Sequence, residues 1–173
     1  MKCKSIFLLT IMTLLAIGCN DFNDGNYVEP IMLYEKVNGD WSLSNLKMVD
    51  EFAKVNKIKP DEQDLTALFN YKDFKINFSV DEKNNPSSYE VTGNVPPLFP
   101  LKGFWKLSSA FQPTDSNPLQ IYLYGDETKT QMTGELKVSS APNSNGEMEI
   151  QLVRKSGGAA FVTYVFKLNA IKK

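Results

Sequence analysis

Apolar and polar residues alternate along several short stretches of the chain. The clearest examples are residues 74–80, 132–139, 147–152 and 161–168. Successive side chains of a β-strand point to opposite faces of a sheet, so each stretch has one dry and one wet face. A sheet with one wet face is typically antiparallel. The pattern therefore predicts antiparallel β-strands, and it places Thr163 on the wet face of the last one.

Four further segments are predicted to be strands, namely residues 40–49, 87–94, 102–110 and 119–124. Turn-forming residues separate many of these segments, and the sequence KSGG before Ala159 is typical of a hairpin turn in which glycine supplies positive φ. Short strands joined by tight turns predict a β-barrel, with a β-sandwich as the alternative. A barrel of about eight strands encloses just enough room for side chains or one small ligand.

One helix is predicted in residues 59–70, which read KPDEQDLTALFN. Proline stands near the start of this segment and acidic residues fill its first turns, as is common at helix N-termini. Leu65, Leu68 and Phe69 recur at i, i+3 and i+4, positions that share one helix face. We expect one to three helical turns that flank or plug the sheet.

The N-terminus has the arrangement of a secretory signal. Lys2 and Lys4 precede an apolar run over residues 6–17, which is shorter than the roughly 20 residues of a membrane-spanning helix. The run ends in Ile17-Gly18-Cys19, and this end resembles the bacterial lipobox, in which a small residue precedes a lipidated cysteine. The resemblance implies cleavage before Cys19, lipid attachment at its thiol, and an anchor in the outer membrane.

The chain is therefore expected to divide into a lipoprotein signal peptide (1–18), a lipidated tether (19–30) and a single β domain (31–173). Asp21 and Asp24 in the tether resemble a signal for export to the outer face of the membrane. The alternative is that they only reflect the polar composition of a flexible tether. The only cysteine besides Cys19 is Cys3, which lies in the segment to be removed. The β domain must therefore be stable without a disulfide, although the expected compartment permits one.

Composition narrows the possible chemistry. The chain has no histidine, so it cannot assemble a Ser-His-Asp or Cys-His catalytic group or the common zinc sites. Removal of Lys2 and Lys4 from 19 basic residues leaves 17 against 20 acidic ones, and nucleic-acid binding instead requires a clustered basic face. No run of basic residues indicates an anionic membrane surface either. We expect no enzymatic activity, no metal, no cofactor and no nucleic-acid partner.

Aromatic residues are the candidates for ligand binding. In the predicted strand 119–124, Tyr122 and Tyr124 share one face and three aliphatic residues share the other. If the aliphatic face packs inward, the tyrosine rings can stack on sugar C–H faces while their hydroxyls form hydrogen bonds. Phe104 and Phe161 would extend this patch. The alternative is that these rings line the core or cover a neighbouring element.

Two further features are interpreted as structural. Trp41 and Trp105 both occur in G-x-W sequences, where the indole covers the end of a core. The proline-rich segment 94–103, NVPPLFPLKG, is expected to cap the barrel by burying Leu98 and Phe99. The alternative for this segment is a rigid docking element for a partner.

The lipobox, the early G-x-W strand and the final VTYVFKL strand together resemble the lipocalin-like lipoproteins of Bacteroidetes. This group includes domains of unknown function found beside SusC/SusD-like glycan-uptake proteins. The resemblance implies a lipocalin-like antiparallel barrel, a structural role for Trp41, and glycan capture at the cell surface with SusC/SusD-like partners. We therefore expect a non-catalytic ligand-binding lipoprotein that favours glycan. The alternatives are a carrier of a small apolar ligand inside the barrel, and an interaction subunit of an outer-membrane uptake complex.

Overall fold

Nine strands form in the computed structural model, which describes residues 30–114 and 117–172. The predicted signal peptide, Cys19 and the tether before Pro30 lie outside the described residues. The strands are β1 (Gly39–Asp50), β2 (Glu62–Asp64), β3 (Lys75–Val80), β4 (Pro86–Thr92), β5 (Lys102–Leu107), β6 (Leu119–Tyr124), β7 (Met132–Ser140), β8 (Glu147–Ser156) and β9 (Ala159–Ala170). Three short helical elements accompany them: α1 (Leu33–Val37), α2 (Glu51–Val55) and a 3₁₀ turn (Tyr71–Asp73).

The strands form a closed antiparallel barrel. They follow the order β2-β1-β3-β4-β5-β6-β7-β8-β9, and pairing between β1 and β9 closes the sheet. Eight strands make up the barrel and β2 is the extra one. It pairs with Lys47–Val49 of β1, whereas the start of β1 pairs with β3. The predicted lipocalin-like barrel is confirmed, and the β-sandwich alternative is wrong.

Side chains fill the interior of the barrel. Phe78, Trp105 and Phe166 are fully buried. The ring centroids of Phe78 and Trp105 lie 5.2 Å apart, and those of Phe74 and Phe166 lie 5.5 Å apart. The Trp105 indole also donates a hydrogen bond to the Ser79 carbonyl at 2.8 Å. The interior of the barrel is therefore packed with side chains rather than hollow.

The helix α1 closes one end of the barrel, which we call the base. Leu33 and Val37 are its buried residues and belong to the main core. The backbone N–H of Leu33 donates to the Ala110 carbonyl at 2.8 Å, which ties α1 to the β5–β6 loop. Trp41, also buried, donates its indole N–H to the Val37 carbonyl at 2.8 Å. Both tryptophans of the chain are thus core residues.

The proline-rich loop between β4 and β5 closes the opposite end. Phe99 is buried, and its ring centroid lies 6.4 Å from that of Phe74 and 6.0 Å from that of Phe166. The Tyr89 hydroxyl donates to the Pro100 carbonyl at 3.0 Å. The capping interpretation of this segment is confirmed, because its large side chain fills the mouth of the barrel.

The prediction of a helix over residues 59–70 is wrong. Part of this segment forms β2, because its backbone pairs with the free edge of β1. The Asp64 carboxylate accepts hydrogen bonds from the Thr66 N–H at 2.8 Å and the Asn45 amide at 2.7 Å, and such local bonds compete with helix formation. Phe69 and Asn70 then adopt φ of 55° and 60°, in the left-handed region that ends a helix.

The wet face predicted for Thr163 is also wrong. Thr163 does point away from the core, but it is only 5% exposed because α2 covers it. Its hydroxyl donates to the Glu51 carboxylate at 2.5 Å. Val49 and Ala53 are buried nearby, and Val49 is the direct partner of Thr163 across the β1–β9 pair. The helix α2 therefore buries an outward-facing part of β9 that the alternation of side chains alone predicts to be exposed to solvent.

Replacement of Trp105 by alanine tests the packed core. We expect Trp105→Ala to lower the free energy of unfolding by about 4 kcal/mol, because it removes a fully buried indole and leaves a cavity. Urea unfolding followed by circular dichroism measures this loss. Phe111→Ala is the control, since Phe111 is exposed, and it should change the free energy by less than about 0.5 kcal/mol. Equal effects of the two substitutions would contradict the packing described.

Acidification tests the carboxylates that organise two turns. The Thr128 hydroxyl, followed by the backbone N–H of Gln131, holds the pKa of Asp126 well below its usual range. The Asn85 backbone N–H and side chain likewise lower the pKa of Asp81. Groups with a lowered folded-state pKa stabilise the fold above about pH 4, and this stabilisation disappears as pH falls through the folded-state pKa.

We therefore expect thermal stability to fall below about pH 4. Asp126→Asn should make that fall less steep, because the side chain no longer titrates. Melting temperatures measured from pH 7 down to pH 2 check this expectation. An unchanged profile for Asp126→Asn would count against the role of Asp126.

Candidate functional site

The outer face of β6 carries two of the predicted binding residues. The three aliphatic residues of β6 are fully or almost fully buried, which leaves Tyr122 and Tyr124 on the outer face, each half-buried. Phe104 of β5 lies directly opposite Tyr124 in the register. The structure thus brings Phe104, Tyr122 and Tyr124 together on one outer surface, as the first of the two alternatives for these rings requires.

Phe161 is not part of this surface. It lies on β9, which is separated from β6 by β7 and β8 in the sheet order. Its side chain is exposed near α2 instead. The alternation of β9 correctly points Phe161 outward, but it gives no information on which outer surface it joins.

A chain of hydrogen bonds positions the ring of Tyr122. The Tyr122 hydroxyl donates to Gln120 Oε1 at 2.7 Å, and Gln120 Nε2 donates to Glu135 Oε1 at 2.6 Å. Lys106 and Glu135 occupy the positions opposite Tyr122 on β5 and β7. The neighbouring strands therefore hold the ring in place before any ligand arrives, which lowers the entropic cost of binding.

A cleft of about 600 Å³ adjoins Tyr122 and Gln120. Its other wall is the β5–β6 loop, whose lining residues are polar or proline: Ser108, Ser109, Gln112, Pro113, Thr114, Asn117 and Pro118. The Ser108 hydroxyl accepts a hydrogen bond from the Gln120 N–H at 3.0 Å, which ties the loop to β6. The size falls within the range of small-ligand sites. We refer to this space as the β6 cleft.

Comparison with known proteins assigns a family. A family model described as "Domain of unknown function (DUF5004)" matches residues 18–169. The chain belongs to this family. A search of curated proteins and a search of solved structures each returned no match. The match covers all the strands of the barrel except the last residue of β9, Ala170.

The interior of the barrel offers little space for a ligand. A buried cavity lies beneath the proline-rich loop, against Tyr71, Phe74, Phe99 and Phe166. Its volume is about 10 Å³, which is about the room that a single water molecule needs. This filled interior argues against the hypothesis of a carrier that encloses an apolar molecule.

Another cleft, of about 410 Å³, lies at the base between the α1–β1 junction and the β7–β8 turn. Its lining includes Trp41, Pro142, Asn143 and Ile171. Trp41 is almost completely buried, so its ring offers little surface for stacking. The β6 cleft is therefore the better candidate, because it combines polar groups with an accessible aromatic ring.

Two further observations concern metal ligands and helix length in the described part of the chain. Residues 30–114 and 117–172 contain no group of three or more acidic, histidine or cysteine side chains able to hold a metal ion. None of the helices in these ranges has the length and apolar character needed to span a bilayer.

The loop that forms the second wall of the cleft was missed in the sequence interpretation. The turn-forming residues between the predicted strands 102–110 and 119–124 predict only a turn. The whole connection covers residues 108–118, whereas hairpin loops usually have about two to five residues. A long connection rich in serine, asparagine, glutamine and proline is the feature that could have identified it, because unusually long loops are often functional.

Proposed function

We propose that this protein is a non-catalytic binding protein that captures glycan in the β6 cleft. The observation that carries the proposal is the half-buried Tyr122 ring set beside hydroxyl and amide groups in a cleft of about 600 Å³. A pyranose ring has an apolar C–H face and a rim of hydroxyls, so it needs a flat aromatic surface next to polar side chains. The β6 cleft offers both, with the aromatic ring on its β6 wall and hydroxyl and amide groups on its loop wall.

The arrangement of the cleft supports this ligand class over an apolar one. Ser108, Ser109 and Gln112 place polar groups along the loop wall. An apolar ligand would remove water from these groups without offering new hydrogen bonds, at a cost in free energy. Tyr122 is already fixed through Gln120 and Glu135. Phe104 and Tyr124 extend the aromatic surface along β5 and β6, which suits a glycan of more than one sugar.

The proposed location is the outer membrane, through a lipid on Cys19. Support for it comes from the sequence, in the apolar run and the small residue before the cysteine. The resemblance to lipoproteins found beside SusC/SusD-like proteins supports a role as an accessory of glycan uptake. A lipid anchor and a binding cleft on the outside of a barrel would together keep captured glycan close to the membrane.

Replacement of Tyr122 tests the proposed cleft. Isothermal titration of residues 31–173, which contain the whole barrel, against a panel of host and plant glycans should find a ligand. We expect Tyr122→Ala to weaken its binding at least about tenfold, which corresponds to about 1.4 kcal/mol, because the stacking surface is lost. The thermal melt of the variant should show that it remains folded.

Phe161→Ala is the matched control, because it removes an outward-facing ring on a different part of the barrel. Its glycan affinity should equal that of the wild type. No binding by the wild type across the panel, or equal affinities of Tyr122→Ala and the wild type, would contradict the proposal.

A further inference from the structure

Four large apolar side chains project at the end of the barrel opposite the base. They are exposed by 69% for Phe52, 76% for Val55, 52% for Ile58 and 48% for Phe161. They belong to two segments, residues 50–58 and 154–161, which we call the apolar tip. Monomeric proteins rarely group exposed apolar side chains without a function for them.

Pairing between β1 and β9 brings these two segments together. Asp50, at the end of β1, lies opposite Val162 of β9. The hydrogen bond from Thr163 to Glu51 fastens α2 against the outer face of β9. Phe161 stands two residues before Thr163, at a bulge of β9 where it has no direct partner on β8, and its ring is exposed. The exposed ring of Phe161 is therefore a neighbour of α2.

The exposed side chains of α2 are held outward. Ala53 is the only buried residue of α2. Asp50 caps the helix by accepting a hydrogen bond from the Ala53 N–H at 2.9 Å, and the Ile58 N–H donates to the Ala53 carbonyl at 2.8 Å. Because the small Ala53 faces the barrel, Phe52 and Val55 must face away from it. The apolar tip is thus a consequence of how α2 is fixed.

The apolar tip is also locally basic. It contains two carboxylates and four cationic side chains. The carboxylates are Asp50 and Glu51, and the cations are Lys54, Lys57, Arg154 and Lys155. Its net charge is therefore +2, while the whole chain carries −1. Lys54 and Lys57 stand between Phe52, Val55 and Ile58 along the chain. Apolar side chains interspersed with lysine are typical of surfaces that enter the interface of an anionic bilayer.

We propose that the apolar tip docks on a lipid bilayer that carries negative charge. Phe52, Val55 and Ile58 enter the boundary between headgroups and acyl chains, and Lys57 and Lys155 lie at the level of the phosphates. Exposures of this size mean that the side chains project from the surface rather than line a groove. A bilayer accepts such projecting side chains without a complementary pocket, and the net positive charge matches an anionic surface.

This contact is independent of the proposed glycan site. The β6 cleft lies on a part of the barrel that β7 and β8 separate from β9. The same protein can therefore hold a glycan at one surface and touch a membrane at another. The two proposals can also fail separately, because they depend on different side chains.

Vesicle sedimentation tests the docking. Residues 31–173 contain every buried core side chain, from Leu33 to Leu168, and lack the segment expected to carry a lipid. We expect this chain to bind vesicles of phosphatidylcholine with about 30% phosphatidylserine at least tenfold more tightly than phosphatidylcholine alone. The double variant Phe52→Ser and Ile58→Ser should lower the partition coefficient at least about tenfold. Lys57→Gln and Lys155→Gln should each lower it about fivefold.

Tyr122→Ala is the control and should bind vesicles like the wild type. Thermal melts should show that all variants stay folded. The residues changed in the apolar tip are exposed, and Tyr122 lies half-buried on the outer face of β6 rather than in the core. Failure of the wild type to bind anionic vesicles, or equal binding by the Phe52/Ile58 double variant, would overturn the proposal. A third outcome would also overturn it. If the wild type does not bind vesicles but forms a dimer in sedimentation equilibrium, and the double variant is monomeric, the apolar tip contacts a second copy of the chain instead.

Discussion

The pairing of β1 with β9 is the constraint on which the rest of the structure depends. It closes the sheet into a barrel, so that its two outermost barrel strands have no long free edge. The paired region runs from Trp41 to Asp50 on β1 and includes one bulge beside Leu43. Closure gives every barrel strand an inner face, and large side chains such as Trp105, Phe78 and Phe166 fill the enclosed space.

A filled interior moves the candidate chemistry to the outside of the barrel. A barrel of about eight strands has room for side chains or one small ligand, and here indole and phenyl rings occupy that volume. The surfaces that remain for function are the outer faces of the strands and the loops at the two ends. The β6 cleft and the apolar tip are both built in this way, each from one strand face and one adjoining segment.

The segments that pack on the outside of the barrel show how strongly tertiary contacts override the local conformational preference of the sequence. Residues 62–64 extend the sheet because the second half of β1 has a free edge there. Thr163 is buried because α2 rests on the outward face of β9. Neither outcome is visible in the periodicity of the segments concerned, since each depends on a partner far away in the sequence.

The sequence by itself determined most barrel strands, the inward face of nearly all of them and the capping loop around Phe99, because period-two burial is a local property of each segment. Only the tertiary structure decided that the aliphatic face of β6 points inward, that Phe104 lies beside Tyr124 while Phe161 does not, and that the 108–118 connection forms a cleft wall. The reason is that alternation defines two faces of a strand without naming its neighbours. Which outward side chains meet depends on strand order and register, and these are fixed by contacts between residues distant in the chain.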